Sequence, residues 1–164
     1  MKVRPRFAIW VSLSLLATGA AQAKDRHGES HVCSQPTPQA ICTPDNTCGS
    51  SSAPCIIDVK RGGSSASMTP SIPGAKGNAP FCVRTGTTIT WQSSSKNTGF
   101  TVDFGSSSPF DRDGAIIGGS DRAVSVVAKK EGCYKVSFGA CIPGAIYGMC
   151  AEGSAEVVIT GTGK

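Results

Sequence analysis

The sequence predicts an all-β fold, on three observations. Short runs in which apolar and polar residues alternate recur through the second half of the chain. Its 20 Gly and 10 Pro fall where helix interiors would have to run, and no stretch shows a convincing helical apolar period. A length of 164 residues allows one domain and makes two packed domains unexpected.

The elements follow in order. Residues 24–54 lack periodicity and read as an irregular arm held by local cross-links. Cys55 to Lys60 reads as a first strand, and Gly62 to Pro80 as a Gly/Ser/Pro loop. Thr87 to Gln92 is β-branched and aromatic, with Ile89 and Trp91 alternating against Thr88 and Thr90. Phe100, Val102 and Phe104 share one parity in the next run. Ala123 to Lys129 is a further candidate, as is Cys133 to Ala140, where Tyr134, Val136 and Phe138 alternate. Ala155 to Thr160 closes the set, and a short helix over Pro109 to Ile117 is weakly signalled. About six short strands with turn-rich joins suggest two packed sheets.

The first residues read as an export leader. Lys2, Arg4 and Arg6 precede an uncharged apolar run, Phe7 to Ala20, and Ala21-Gln22-Ala23 offers small residues for cleavage before Lys24. The expected organisation is a signal peptide at 1–23, the arm at 24–54 and a β domain at 55–164. No later stretch approaches the roughly 18 apolar residues of a membrane helix, so no span is expected after cleavage. Removing the three leader cations from the net charge of +5 leaves +2. That is too little for a surface that tracks phosphates, which excludes a nucleic-acid binder. The expected location is periplasmic or extracellular.

Export decides how the eight cysteines are read. In an oxidising compartment an even number favours disulfides, and no CxxC pair suggests zinc. Cys33, Cys42, Cys48 and Cys55 lie in the Pro/Thr/Ser-rich lead-in and are expected to pair among themselves. Cys82, Cys133, Cys141 and Cys150 lie in the body.

Several body segments resemble the cupredoxins, the plastocyanin and azurin type. Arg84 to Trp91 is similar to the V-x-x-G-x-x-V-x-W strand of that family. Phe100 to Phe104 resembles the next strand, which there opens with a copper-binding His. Gly132 to Cys141 resembles the strand that runs into the copper-binding Cys. Cys141-Ile-Pro-Gly-Ala-Ile-Tyr-Gly-Met149 then shares the Cys, the Pro two residues on and the Gly-Met of the plastocyanin ligand loop. The resemblance spans about residues 55–160 and implies an all-β, cupredoxin-like Greek-key β-sandwich carrying the irregular arm.

It also implies a ligand set that this chain lacks. A blue-copper centre needs two imidazoles, a thiolate and usually a thioether. Cys141 and Met149 stand at the two sulfur positions, as vestigial ligands. Phe100 and Gly144 stand where the imidazoles belong, and neither side chain offers a lone pair. Cys150, nine residues after Cys141, is placed to clip the loop ends and to consume the thiolate. Closing such a loop contributes about 2–3 kcal/mol. By similar reasoning Cys82 pairs with Cys133 near the opposite end. Copper is therefore not the expected cofactor, and no other is indicated.

One rescue is His27 and His31, four residues apart beside Asp25, Glu29 and Cys33, as an N-terminal metal clasp. Against it, Gly28 and the absent periodicity describe a polar terminus with two solvated histidines. Asp111, Asp113 and Asp121 read as an Asp-rich turn, since Arg122 occupies the twelfth position of an EF-hand counted from Asp111. The serines at 93–95 and 106–108 have no histidine base in the body, so no hydrolase triad is supported and no enzyme is expected. Ile146 and Tyr147, at the loop tip, form a candidate contact surface for a protein or small-molecule partner.

The leading expectation is a secreted, disulfide-stabilised binding or structural module on a copper-free cupredoxin-like scaffold. The alternative is a copper-binding or electron-transfer protein using Cys141, Met149 and the N-terminal histidines. A third reading is an immunoglobulin-like adhesion domain, in which Cys82 and Cys133 bridge two sheets around Trp91.

Overall fold

The computed structural model describes residues 31–142 and 150–161, and these form nine strands. They are β1 (Cys55–Gly62), β2 (Ser65–Pro70), β3 (Phe81–Arg84), β4 (Thr88–Gln92), β5 (Gly99–Asp103), β6 (Ile116–Gly119), β7 (Val124–Val127), β8 (Gly132–Cys141) and β9 (Cys150–Thr160). The expected leader, residues 1–23, lies outside the described residues. Among the described residues no helix is long and apolar enough to cross a membrane.

Alternation dictates which face each strand buries, because successive side chains point to opposite sides of a sheet. Cys55, Ile57 and Val59 of β1, Ile89 and Trp91 of β4, and Phe100 and Val102 of β5 all turn inward and are buried. They meet Met68 of β2, Phe81 and Val83 of β3, Val136 and Phe138 of β8, and Val157 and Ile159 of β9 in one apolar core. Trp91, Phe104, Phe110 and Tyr134 add a chain of edge-to-face ring contacts, the tightest between Phe104 and Phe110 at 4.9 Å.

Strand pairing builds one mixed sheet that nearly closes on itself. One run is β2–β1–β4–β7, in which β1 and β4 are parallel. The other is β3–β9–β8–β5–β6, in which β3 and β9 are parallel. The two runs are joined by a single parallel bridge between Ser65 and Glu152. The all-β class is thus observed, with two strands that sequence reasoning missed and one that it absorbed into a loop.

β2 lies inside the segment expected to be a loop. Gly63 and Ser64 form a two-residue hairpin turn between Gly62 and Ser65, with Gly63 at φ +63°. The strand was hidden because its outward residues are Ser65, Ser67 and Thr69, and its inward ones are Ala66, Met68 and Pro70. Asn78 completes its edge: its side-chain oxygen accepts from Met68 N at 2.7 Å, and its amide donates to Ala66 O at 3.2 Å. The helix considered over Pro109 to Ile117 is not formed. Phe110 bridges to Ala128, and Ile116 opens β6 opposite Val102.

The arm is less loose than its composition suggests. Three short 3-10 turns, Val32–Ser34, Pro38–Ile41 and Pro44–Asn46, carry it across the outer face of β3, β9 and β8. Prolines open the second and third turns, where a missing N–H costs nothing. The arm then bridges Thr47 to Cys82 and donates Cys48 N to Cys82 O before entering β1.

Candidate functional site

The end of the sheet that matters to the copper question is set by register. Gly119, Gly99, Cys141 and Cys150 lie in one row across β6, β5, β8 and β9. Cys141 and Cys150 are directly opposed, with Cα atoms 4.1 Å apart, and are joined by a disulfide. Because all eight cysteines are bonded, no thiolate remains to ligate a metal. The row beside it points inward. Phe100, which occupies the first imidazole position of the resemblance, stands opposite Ala140 on one side and Gly118 on the other. It is only 1% exposed, and a Cβ on Gly118 would lie 2.5 Å from its ring. Gly118 is therefore the space into which the ring packs, and Phe100 is a core residue.

Gly144, Ile146, Tyr147 and Met149 lie outside the described residues, as does His27. His31 is described and exposed, and its carbonyl accepts from Ser34 N at 3.0 Å as the first 3-10 turn begins. Among the described residues no three His, Cys, Asp or Glu side chains gather as a metal-binding group.

Register also explains why two expected pairings fail. Cys82 on β3 and Cys133 on β8 both flank Val158 of β9. They are two strand spacings apart, roughly 9–10 Å, which exceeds the Cα separation that a disulfide can span. Neither bonds the other. Cys82 bonds Cys42 and Cys133 bonds Cys33, so two arm cysteines reach the body instead of pairing locally. Only Cys48–Cys55 lies within the first group. The bridge on which the immunoglobulin-like reading depends is thus absent.

Between those two pins the arm is seated by chemistry that sequence reasoning overlooked. Val32 packs onto Cys82 and Val158 in a second small core. Glu156, two residues before Val158 on the same face of β9 and only 7% exposed, accepts from Val32 N at 2.6 Å and from Cys33 N at 3.3 Å. Its carboxylate satisfies the first amides of the opening 3-10 turn, which have no partner within that turn. The available signal was a single Glu inside the otherwise apolar run Ala155 to Ile159, since a buried acid calls for a partner.

The remaining polar groups are explained by local structure. Asp58 accepts from Ser94 N at 2.8 Å and Ser94 Oγ at 2.7 Å, and pairs with Lys60 at 3.0 Å. Partial burial pushes its pKa up, but the Ser94 bonds and the Lys60 ammonium outweigh that and hold it below its ordinary 3.8. Ser94 thus meets a carboxylate with no imidazole between them. Asp111 accepts from Val127 N at 3.2 Å, the role of a turn residue. Burial raises the Tyr134 phenol above its ordinary 10.0, and its hydroxyl donates to the Lys130 and Glu131 carbonyls.

Compared with known proteins, the chain matches no family model, no curated protein and no solved structure. Four disulfides that use every cysteine indicate an oxidising environment.

Proposed function

We propose that the chain is a secreted, non-enzymatic binding or structural module on a cupredoxin-like Greek-key scaffold that holds no type 1 copper. The observation that carries this reading is the state of the ligand positions: the sulfur of Cys141 is spent on Cys150, and Phe100 is sealed into the core. Two further features support the scaffold. Strands occupy the segments that the resemblance requires, β4, β5, β8 and β9. Phe100 and Cys141 also lie on neighbouring strands at one end of the sheet, as ligands of one centre would have to. Export through a cleaved leader to the periplasm or beyond accords with the four disulfides.

The test is a titration of the purified, oxidised mature protein with Cu(II), read by visible absorption and by thiol counting. The expected result is no intense thiolate band and no free thiol. An intense band with one free thiol overturns the proposal in favour of a copper protein with a non-standard ligand set. A partner would then be sought with the intact protein, by cross-linking in the exported fraction.

A further inference from the structure

The four disulfides differ sharply in their surroundings. Cys48 and Cys55 are both fully buried, and Cys82 is fully buried beneath Cys42 and the arm. Cys33 and Cys133 are half-buried where the arm crosses β8. Cys141–Cys150 is the one pair with an exposed member, Cys150. Its row continues over Gly99 and then Gly119, which is itself buried against Asp121, so the nearest β5 position in the row carries no side chain. Gly139, diagonal to it, adds no side chain against the Cys150 Cβ, and the Thr101 hydroxyl lies over that glycine. A groove of about 570 Å³ opens alongside, floored by Ser137, Gly139 and Ser154 and edged by Asp103, Glu152 and Cys150 itself.

We propose that Cys141–Cys150 is a thiol–disulfide exchange site that takes a dithiol reductant, while the other three pairs are structural. Exchange needs access for an attacking thiolate in line with the sulfur–sulfur bond and a leaving thiolate that water can stabilise. Cys150 is exposed to water, and Gly99 puts no side chain beside Cys141 on the far side from Cys150. A thiolate arriving over Gly99 attacks Cys141 Sγ and forms a mixed disulfide. The Cys141–Cys150 bond breaks, its electron pair leaves on the exposed Cys150 sulfur, and that sulfur takes a proton. The second thiol of the reductant then attacks its own sulfur in the mixed disulfide and releases Cys141, which is protonated in turn. The dithiol is oxidised to its cyclic disulfide, and two electrons and two protons reside on Cys141 and Cys150. The strands need not separate, because β8 and β9 remain paired from Gly132↔Ile159 to Ala140↔Ala151.

The experiment uses the oxidised full mature chain in native buffer with dithiothreitol, quenched at intervals by alkylation and mapped by mass spectrometry. Near-ultraviolet circular dichroism of the Trp91 cluster is followed in parallel. The expected result is alkylation of Cys141 and Cys150 at least about tenfold faster than of any other pair, with the aromatic signal retained. The monothiol cysteamine should form its mixed disulfide on Cys141. A second variant tests the approach path. A Cβ at Gly99 meets nothing nearer than Gly118 O at 3.8 Å, so there is room to start a side chain there, and Gly99→Val is expected to shield the bond. It should slow reduction about tenfold. Earlier opening of Cys33–Cys133, or release of all pairs together as the aromatic signal is lost, overturns the proposal. So does an undiminished rate in Gly99→Val.

Discussion

Along β9, the half from Ala155 to Ile159 is buried on both faces, whereas the half from Cys150 to Ser154 leaves its outer face bare. Both halves pair with β8 throughout. What differs is what lies above them. Over Glu156 and Val158 runs the arm, pinned on one side to Cys82 and on the other to Cys133. Over Glu152 and Ser154, among the described residues, lies a groove, and the disulfide there joins two strands that are already hydrogen-bonded. One disulfide set therefore fixes a distant segment onto the sheet, and the other staples neighbours. The first removes more chain freedom than the second, because loop-closure entropy grows, though slowly, with the length enclosed.

That contrast can be broken by removing each link. Replacing Cys33 and Cys133 together by Ser should cost about 3–5 kcal/mol, since the closed loop is long, read as a lower midpoint in thermal unfolding by circular dichroism. The matching pair of substitutions at Cys141 and Cys150 should cost about 2–3 kcal/mol. If the second pair proves the more damaging, the assignment of roles to the two halves of β9 fails. Val158→Ala should cost about 2 kcal/mol by leaving a void beneath the arm, and proteolysis within residues 31–47 should quicken with it. An unchanged rate of cleavage would mean that the arm is held by its disulfides alone.

Glu156→Gln sharpens the comparison on its polar side. It keeps one acceptor oxygen but loses the charge and the second acceptor, for an expected loss of about 1–2 kcal/mol in denaturant unfolding. The smallest effect belongs to neither half. The pKa of Asp58 is lowered in the folded state, so its stabilisation is fully present above the ordinary value of 3.8 and is lost as the pH falls through the lower folded value. Asp58→Asn should therefore remove about 1 kcal/mol or less near neutrality and should flatten the fall in stability below pH 3.8. A variant whose acid limb stays as steep as that of the parent would show that other carboxylates govern it.

Strands whose residues alternate strongly were legible. Ile89 and Trp91, and Phe100 and Val102, announced β4 and β5 because branched and aromatic residues at period two fit a half-buried pleat. β2 was not, since serines and an alanine carry the same period without the apolar contrast. β6 was not, since Ile116-Ile117-Gly118-Gly119 pairs a buried isoleucine with one exposed at its side and ends in two glycines, the first of which makes room for Phe100. At the candidate site, the nine-residue spacing and loop position of Cys141 and Cys150 made their closure expected. The Cys82 and Cys133 partners were out of reach of the same reasoning. Both sit in the body, and only the intervening strand β9 separates them.

The sequence by itself determined the β character, the inward parity of the main strands and the absence of any histidine after His31. Each of these depends on the identity of a residue or on its nearest neighbours along the chain. Only the tertiary structure decided which cysteines meet, what Glu156 caps and which disulfide has an exposed member. Those outcomes depend on strands distant in sequence lying side by side, and on a sheet spacing that forbids one pair while bringing the arm within reach of two others.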